Sequence, residues 1–548
     1  MAKKSTEALS RRDFLTTTAA AGITAATLAP GQAHAQTNIQ WDHEADFVSI
    51  GAGVSGLAAA VSALEHGASV ILVDENFDIG GHGMVSGGVV HLGGGTSVQR
   101  KHGIEDSAEK LYQDWIRPDH PLARYNDRDI VRAFADENAP TFEWLIENGV
   151  EFHEDQMVGP QMASTVPRQV RTRQWPNKDE LYTARPSRRG SGLVRALEKK
   201  ARENGAEILL EHRMTRIIRE NPTSGRVLGI EVEHEGATLN IRGRNGVLIA
   251  TGGHCNNVQF RRMFDPRLTE EYAVAGDPYS RKSADGEIAA MALGASLWGT
   301  SAQTNEAERV LQKARHIGAK YGYNSLHWRA DSPIFDKIRG EGLTDVDWNN
   351  AILVTMEGRR FYDETVNSYD FLAAAMAWHG DPGKRNGGGP IWAIFDHDAV
   401  ERQGWEPSPP YVDPDGYFYS ADTIGELAKR IENEFQVKPM ESSVLEATVA
   451  RYNTFADAGV DDDFGKPAPF PKIATPPFYA AWSTPLVHDS YTGLRTNASA
   501  QVMDLQGQVI EGLYCAGESQ GGFNQHGLGR SVVFGRIAGR HAALSGSA

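Results

Sequence analysis

Apolar residues in this chain come largely in short runs closed by glycine or an acid, the pattern of buried strands. Asp46-Phe47-Val48-Ser49-Ile50 runs into Gly51, and Val70-Ile71-Leu72-Val73 ends at Asp74. Far along the chain, Leu248-Ile249-Ala250 ends in Thr251-Gly252-Gly253, and Gly512-Leu513-Tyr514-Cys515-Ala516 ends in Gly517-Glu518. Residues 57–66 read as a helix between the first two strands, which makes a βαβ unit and predicts an α/β fold. Amphipathic periodicity predicts further helices over 193–204 and 424–435. The proline-rich piece 467–477 reads as a linker, and no internal repeat is visible.

The first 35 residues follow different rules. Lys3 and Lys4 precede Ser10-Arg11-Arg12-Asp13-Phe14-Leu15, then comes a mildly apolar stretch to about Leu28, and Ala33-His34-Ala35 fits a small-x-small cleavage site. The arginine pair followed by Phe-Leu resembles a twin-arginine export signal, so the expected location is the periplasm and the export machinery an expected partner.

Composition narrows the function. The chain has 548 residues and a formal net charge of -16, so nucleic acid is a poor partner. No apolar run is long enough to span a bilayer. Glycine is 57 of 548, about one in ten against a usual ~7%, which hints at close approach of backbone to a ligand. Cys255 and Cys515 are the two cysteines, too few for a disulfide framework, a CxxC zinc site or a CxxCH haem site. No metal site is expected.

Gly51-Ala52-Gly53-Val54-Ser55-Gly56 is a GxGxxG at the strand–helix turn, and Asp74 follows 23 residues after Gly51. The glycines let backbone N–H groups approach a pyrophosphate at the helix N-terminus, and Asp74 would accept hydrogen bonds from the adenosine ribose. A second glycine cluster, Gly80-Gly81-His82-Gly83-Met84-Val85-Ser86-Gly87-Gly88, follows the acid, and the strands ending at Gly252-Gly253 and Gly517-Glu518 return later. A nicotinamide dinucleotide has no need of these returns. An extended dinucleotide with its ring buried against backbone needs them, which makes the expected cofactor FAD.

Together these segments, with Ala284-Asp285-Gly286, Gly358-Arg359-Arg360-Phe361-Tyr362-Asp363-Glu364 and Val533-Phe534-Gly535-Arg536-Ile537-Ala538-Gly539, resemble the flavoprotein family of soluble fumarate reductases, urocanate reductase and the 3-ketosteroid dehydrogenases. The resemblance implies a discontinuous Rossmann-type FAD-binding domain, residues 40–300 plus 475–548, with an inserted α+β capping domain over 301–474. It adds Gly81, Ser86, Gly87 and Gly88 to the cofactor contacts of the first turn. From the later segments it adds Ala250, Gly252, Asp285, Glu518, Ser531 and Val532.

Fumarate reductases of the family carry an arginine proton donor shortly after the Arg-Phe-x-x-Glu motif; here the stretch reads Glu364-Thr365-Val366-Asn367-Ser368-Tyr369-Asp370, without one. Ketosteroid dehydrogenases have a tyrosine in this neighbourhood, which makes Tyr369 the leading candidate for proton transfer, with Tyr491 as a relay or carbonyl partner. His526 and Arg530 open the last helix, whose N-terminus the family aims at the flavin pyrimidine edge. His82 is one residue out of register for a flavin-linked histidine. Seven basic residues between Arg168 and Arg189 read mostly as solvated surface, with an entrance for an anionic substrate as the functional alternative.

The expected activity is hydrogen transfer across a CH–CH bond beside a carbonyl, desaturating a ketone or running the reverse. The alternatives are a fumarate- or urocanate-type enoate reductase and a flavin-binding electron-transfer subunit. The expected partners are a small carbonyl or enoate substrate and a separate electron donor or acceptor, a cytochrome or the quinone pool. Gly51→Val should abolish flavin loading, because a side chain there takes the pyrophosphate's place. The same variant should accumulate uncleaved in the cytoplasm, since loading precedes twin-arginine export; yellow protein recovered normally from the periplasm would refute both statements.

Overall fold

A five-stranded parallel array forms the centre of the molecule. The computed structural model describes residues 39–181, 189–299, 311–323, 331–376, 389–525 and 527–546. Residues 1–35 therefore lie outside the described residues, and Trp41–Ala548 packs as one unit. Parallel pairing runs from Val509–Cys515 through Ala237–Ile249, His43–Ile50 and Val70–Val73 to Glu207–Leu209. Their carboxyl ends, residues 47–50, 70–73, 247–249 and 513–515, are the buried, largely apolar parts, whereas the longer strands begin among exposed polar residues. A β-hairpin, Arg213–Asn221 and Ser224–His234, extends the sheet by pairing antiparallel with the start of Ala237–Ile249.

Two helices stack on the array at the closest spacing backbone allows. Helix Val54–Glu65 is alanine-rich and buried along most of its length. Helix Leu528–Ser545 lies against it through Gly535 and Gly539, where an added Cβ would stand 2.3 Å from Ser55 O and 2.1 Å from Ala59 O. Any side chain at either position would push the helices apart.

A second, antiparallel sheet is built from Ile352–Thr355, Ile391–Phe395, Phe478–Trp482 and Phe418–Ala421, in that spatial order. Its own core centres on Trp392 and Trp482, whose rings meet edge to face at 5.5 Å. The fold is thus mixed α/β with a parallel sheet and an α+β region in the later half. No described helix is long and apolar enough to cross a membrane.

The predicted helices differ in outcome. The first forms as Gly190–Glu203, but the second stops early, at Ile424–Arg430. Asn433 ends it: its Oδ1 accepts from Phe435 N and Gln436 N, and its Nδ2 donates to Gly416 O. An asparagine that turns the backbone competes with the helix it follows.

The basic run is not one surface. Arg171, Arg173 and Lys178 are exposed, and Arg185 and Arg188 lie outside the described residues, but Arg168 is only 3% exposed. Its Nε and Nη2 reach the two oxygens of Asp106 at 2.7 and 2.8 Å, and its Nη1 reaches Asp114 at 2.6 Å. Burial alone would raise the Asp106 carboxyl, but the hydrogen bonds from Arg168 and Gln99 outweigh it and hold the carboxyl below its usual range. Arg168→Met leaves two buried carboxylates without their counter-ion and should cost about 3–5 kcal/mol of stability, read as a fall in denaturant midpoint. A loss under about 1 kcal/mol would show that the arginine is ornamental to the fold.

Candidate active site

The parallel strands end at one level. Ile50 sits opposite both Val73 and Ile249, and Ile249 opposite Cys515. The residues that follow, Gly51, Asp74, Ala250 and Gly517, therefore line one cleft at the carboxyl edge of the sheet. Gly51 N donates to Val73 O at 2.7 Å and Ala250 N to Ile50 O at 2.9 Å, which locks the turn to both neighbours. Gly51 has φ +106°, and a Cβ there would lie 2.4 Å from Ala250 O.

Two helix N-termini open onto this cleft. Helix Val54–Glu65 starts at Gly53 and helix Leu528–Ser545 at Gly527; neither has a side-chain cap or an acid in its first turn. Their first N–H groups are available to an anion, with the helix dipole behind them. The short helix Gly81–Val85 lies between them: a Cβ on Gly83 would meet Val54 Cγ2 at 2.4 Å and Leu528 Cδ2 at 3.8 Å. Gly517 closes the arrangement, with Ser55 Oγ and Ser531 Oγ within 4 Å of its Cβ position.

Asp74 marks one end. Its carboxylate accepts from Ala52 N at 2.8 Å and Asn76 N at 3.0 Å. Burial nevertheless pushes the carboxyl up to about 6, against those two backbone bonds. His212, Arg213 and Asp285 line the cleft beside it, and Arg213 pairs with Asp285 at 3.4 Å.

The other end gathers groups able to carry protons. His82 Nε2 and Tyr323 Oη are 3.1 Å apart, and the rings of His82, Tyr323 and His488 lie 5.3–5.6 Å from one another. His488 Nδ1 is 2.8 Å from Asp489 Oδ2. Lys282 reaches His488 O at 2.7 Å and Glu518 Oε2 at 3.0 Å; burial opposes its charge, but Glu518 prevails and holds it protonated. His82, Asp489 and Glu518 have the spacing of metal ligands, and the Lys282 ammonium already supplies a cation to the two carboxylates.

Arg530 is the sharpest sign of a ligand. It is 3% exposed and lines the cleft. Its Nη1 donates to Phe523 O at 2.8 Å, while Nε and Nη2 are buried with no hydrogen-bond partner among the described residues. Burial lowers its pKa only to about 10, so the guanidinium stays charged at neutral pH. A buried charged donor without a partner is costly unless a bound acceptor completes it.

The structure brings Gly51, Gly53, Ser55, Asp74, Gly81, Ser86 and Gly87 to the cleft from the first part of the chain. From the later segments it brings Ala250, Gly252, Asp285, Glu518, Arg530 and Ser531. Ala52, Gly56, Gly88 and Val532 stand behind the lining, where Gly56 allows the helix to touch Gly51 O and Gly88 makes room for Thr172 and Arg189. Tyr491 is fully buried and does not line the cleft. The backbone of Tyr369 opens helix Tyr369–Ala375, but its side chain, like the whole of His526, lies outside the described residues. Tyr323, Lys282 and the pair His488–Asp489 escaped the sequence reading. The pair stands only a few residues before Tyr491 and could have been weighed with it, whereas nothing local distinguishes Tyr323 or Lys282.

The residues present fit FAD: a glycine turn with no room for a side chain, uncapped helix starts, an acid at one end and an unmet guanidinium at the other. A family model described as FAD binding domain matches residues 46–531. The chain is 27% identical over 502 residues to the probable fumarate reductase Ifc3 of Shewanella frigidimarina (strain NCIMB 400), covering 90% of this chain and 74% of that protein. It is 27% identical over 518 residues to the urocanate reductase of Eggerthella lenta, covering 91% and 75%. Among solved structures, the open conformation of a flavocytochrome c3 fumarate reductase matches with a TM-score of 0.65 at 24% identity, over 99% of this chain and 83% of that one.

The Asp74 environment generates a pH test. With a carboxyl near 6 in the apoprotein and ribose hydroxyls that bind the ionised form, FAD affinity should fall about tenfold between about pH 7 and about pH 5. Asp74→Asn should bind FAD more weakly at pH 7 and lose this dependence. An FAD titration of wild-type apoprotein that is flat over this range would refute the carboxylate's role.

Proposed function

The chain belongs to the FAD binding domain family and is an FAD-dependent oxidoreductase; we propose that it transfers hydrogen across a carbon–carbon bond beside a carbonyl, working as the reductase of an enoate-type C=C bond. The observation that carries this reading is the cluster His82, Tyr323 and His488 at the cleft end that also holds Arg530. An enoate needs a proton at its α-carbon and a positive group for the charge that gathers on its carbonyl, and the cluster with Arg530 offers both. The relatives named for fumarate and urocanate reduction support the same chemistry.

Bound FAD would supply the hydride exchanged with the β-carbon. Gly51, Gly53, Ser55 and the start of helix Val54–Glu65 would hold its pyrophosphate, and Asp74 its ribose. Tyr323 would give its hydroxyl proton to the α-carbon, with His82 restoring it across their 3.1 Å contact. His488, oriented by Asp489, would hold the carbonyl oxygen. Arg530 and the uncapped Leu528 helix start favour negative charge at the ring end of the site. Lys282 neutralises Glu518 and grips His488 O, which keeps that wall in place. The protein would leave the cytoplasm through its twin-arginine signal and take electrons from a cytochrome or the quinone pool.

Anaerobic spectra test the reaction: reoxidation of the reduced, loaded protein by an enoate supports the reading. Bleaching of the oxidised protein by a cyclic ketone, with no response to enoates, would reverse it toward desaturation. Tyr323→Phe should keep FAD and fold while turnover drops ~10²–10⁴-fold. If Tyr323→Phe keeps more than about a third of turnover and Tyr369→Phe does not, the proton role passes to Tyr369.

A further inference from the structure

Lys313 lies outside the cleft lining, is 3% exposed, and is held in a cage of its own. Its Nζ is 4.1 Å from the Trp348 ring centroid and 4.3 Å from that of Phe371. It donates to Val366 O at 3.2 Å and also to Glu364 O. The two ends of this contact belong to different walls. Lys313 follows Leu311–Gln312, which pairs antiparallel with Leu486–Val487, the residues just before His488. The same segment folds back on itself, with Arg315 N and His316 N donating to Gly322 O, and delivers Tyr323 to the cleft. The carbonyls it grips belong to a turn pinned by Asp363, whose Oδ1 accepts from Thr365 N and Thr365 Oγ1. That turn leads into helix Tyr369–Ala375, which contributes Phe371 to the cage.

The charges around Lys313 are unequal. The turn presents Asp363 and Glu364; Lys466 faces it from beyond helix Ser442–Ala458; the elements bearing Trp348 and Phe371 present rings. Glu364 is committed elsewhere, to Arg360 at 2.7 and 2.8 Å and to Lys466 at 3.3 Å. Lys313 is thus a buried cation held by carbonyl oxygens and ring faces, interactions that depend on its charge.

We propose that Lys313 is a positioning residue that ties the wall bearing Tyr323 and His488 to the turn leading into helix Tyr369–Ala375, and that the tie slackens when its amine loses a proton. This rests on the reading of the cleft as the site of hydrogen transfer. Burial lowers the amine to about 7, Lys466 adding to the effect and Glu364 and Asp363 opposing it, so the change falls near neutral pH. The sign for global stability is opposite. Between about 7 and the ordinary ~10.5 the unfolded chain holds the proton and the folded chain does not, so overall stability rises with pH in that window while the tie weakens.

Hydrogen–deuterium exchange of the full, FAD-loaded chain separates the two. After correction for intrinsic exchange, peptides covering 361–376 should exchange about tenfold faster at about pH 8 than at about pH 6, following the loss of protonated amine. Peptides from the parallel strands should not change. Lys313→Met should keep its FAD, lose the rise of stability with pH between about 7 and ~10.5, and show the faster exchange at both pH values. Equal protection of wild-type peptides 361–376 at the two pH values, or a Met variant as protected as wild type at pH 6, would overturn the tie; if the Met variant does not fold, the wild-type comparison decides. A pH-dependent turn in a protein that turns over no enoate supports the tie and sinks the functional reading instead. Enoate turnover with a pH-independent turn does the reverse.

Discussion

Backbone-to-backbone contact at the carboxyl ends of the parallel strands is the constraint from which the rest of the molecule follows. Gly51 touches Ala250 O, Gly56 touches Gly51 O, and Gly535 and Gly539 touch Ser55 O and Ala59 O, each too closely for any Cβ. Because these contacts are met, four segments drawn from between residues 51 and 517 share one edge. Two uncapped helices also aim their N–H groups into the same space. A single methyl at any of these points would separate strand from helix, and the anion-binding geometry would be lost with it.

The two ends of the cleft are electrostatically unlike. At Asp74 a carboxylate is supported by two backbone donors, while burial raises its pKa to about 6. At the other end two buried cations, Lys282 and Arg530, stand beside two carboxylates and two histidines. Lys282 is satisfied by protein, whereas two buried nitrogens of Arg530 have no partner among the described residues. On the proposed reading an extended dinucleotide would lie with its ribose toward the acid and its ring toward the guanidinium. On the same reading the proton-carrying groups would stand beside that ring.

Buried ion pairs play a different part elsewhere. Arg168 with Asp106 and Asp114, and Arg360 with Glu364 and Asp461, are fully committed within the fold. The Arg360 pair shares Glu364 with Lys466 and so shapes the turn that Lys313 holds.

The sequence by itself determined the strand-end turns that line one half of the cleft. They are written as local patterns: an apolar run, a glycine where backbone must pass, and Asp74 at the end of the second strand. Strand ends and helix starts are set by short-range sterics and hydrogen bonding, so their order survives in one dimension. Tertiary structure alone decided which side chains would meet around His82 and Arg530. Tyr323 reaches His82 and His488 because strand pairing at Leu311–Gln312 brings the segments together. Arg168 left the basic run for the core because Asp106 and Asp114 are buried beside it. Such meetings depend on burial and long-range register, neither of which leaves a periodic trace at the residue concerned.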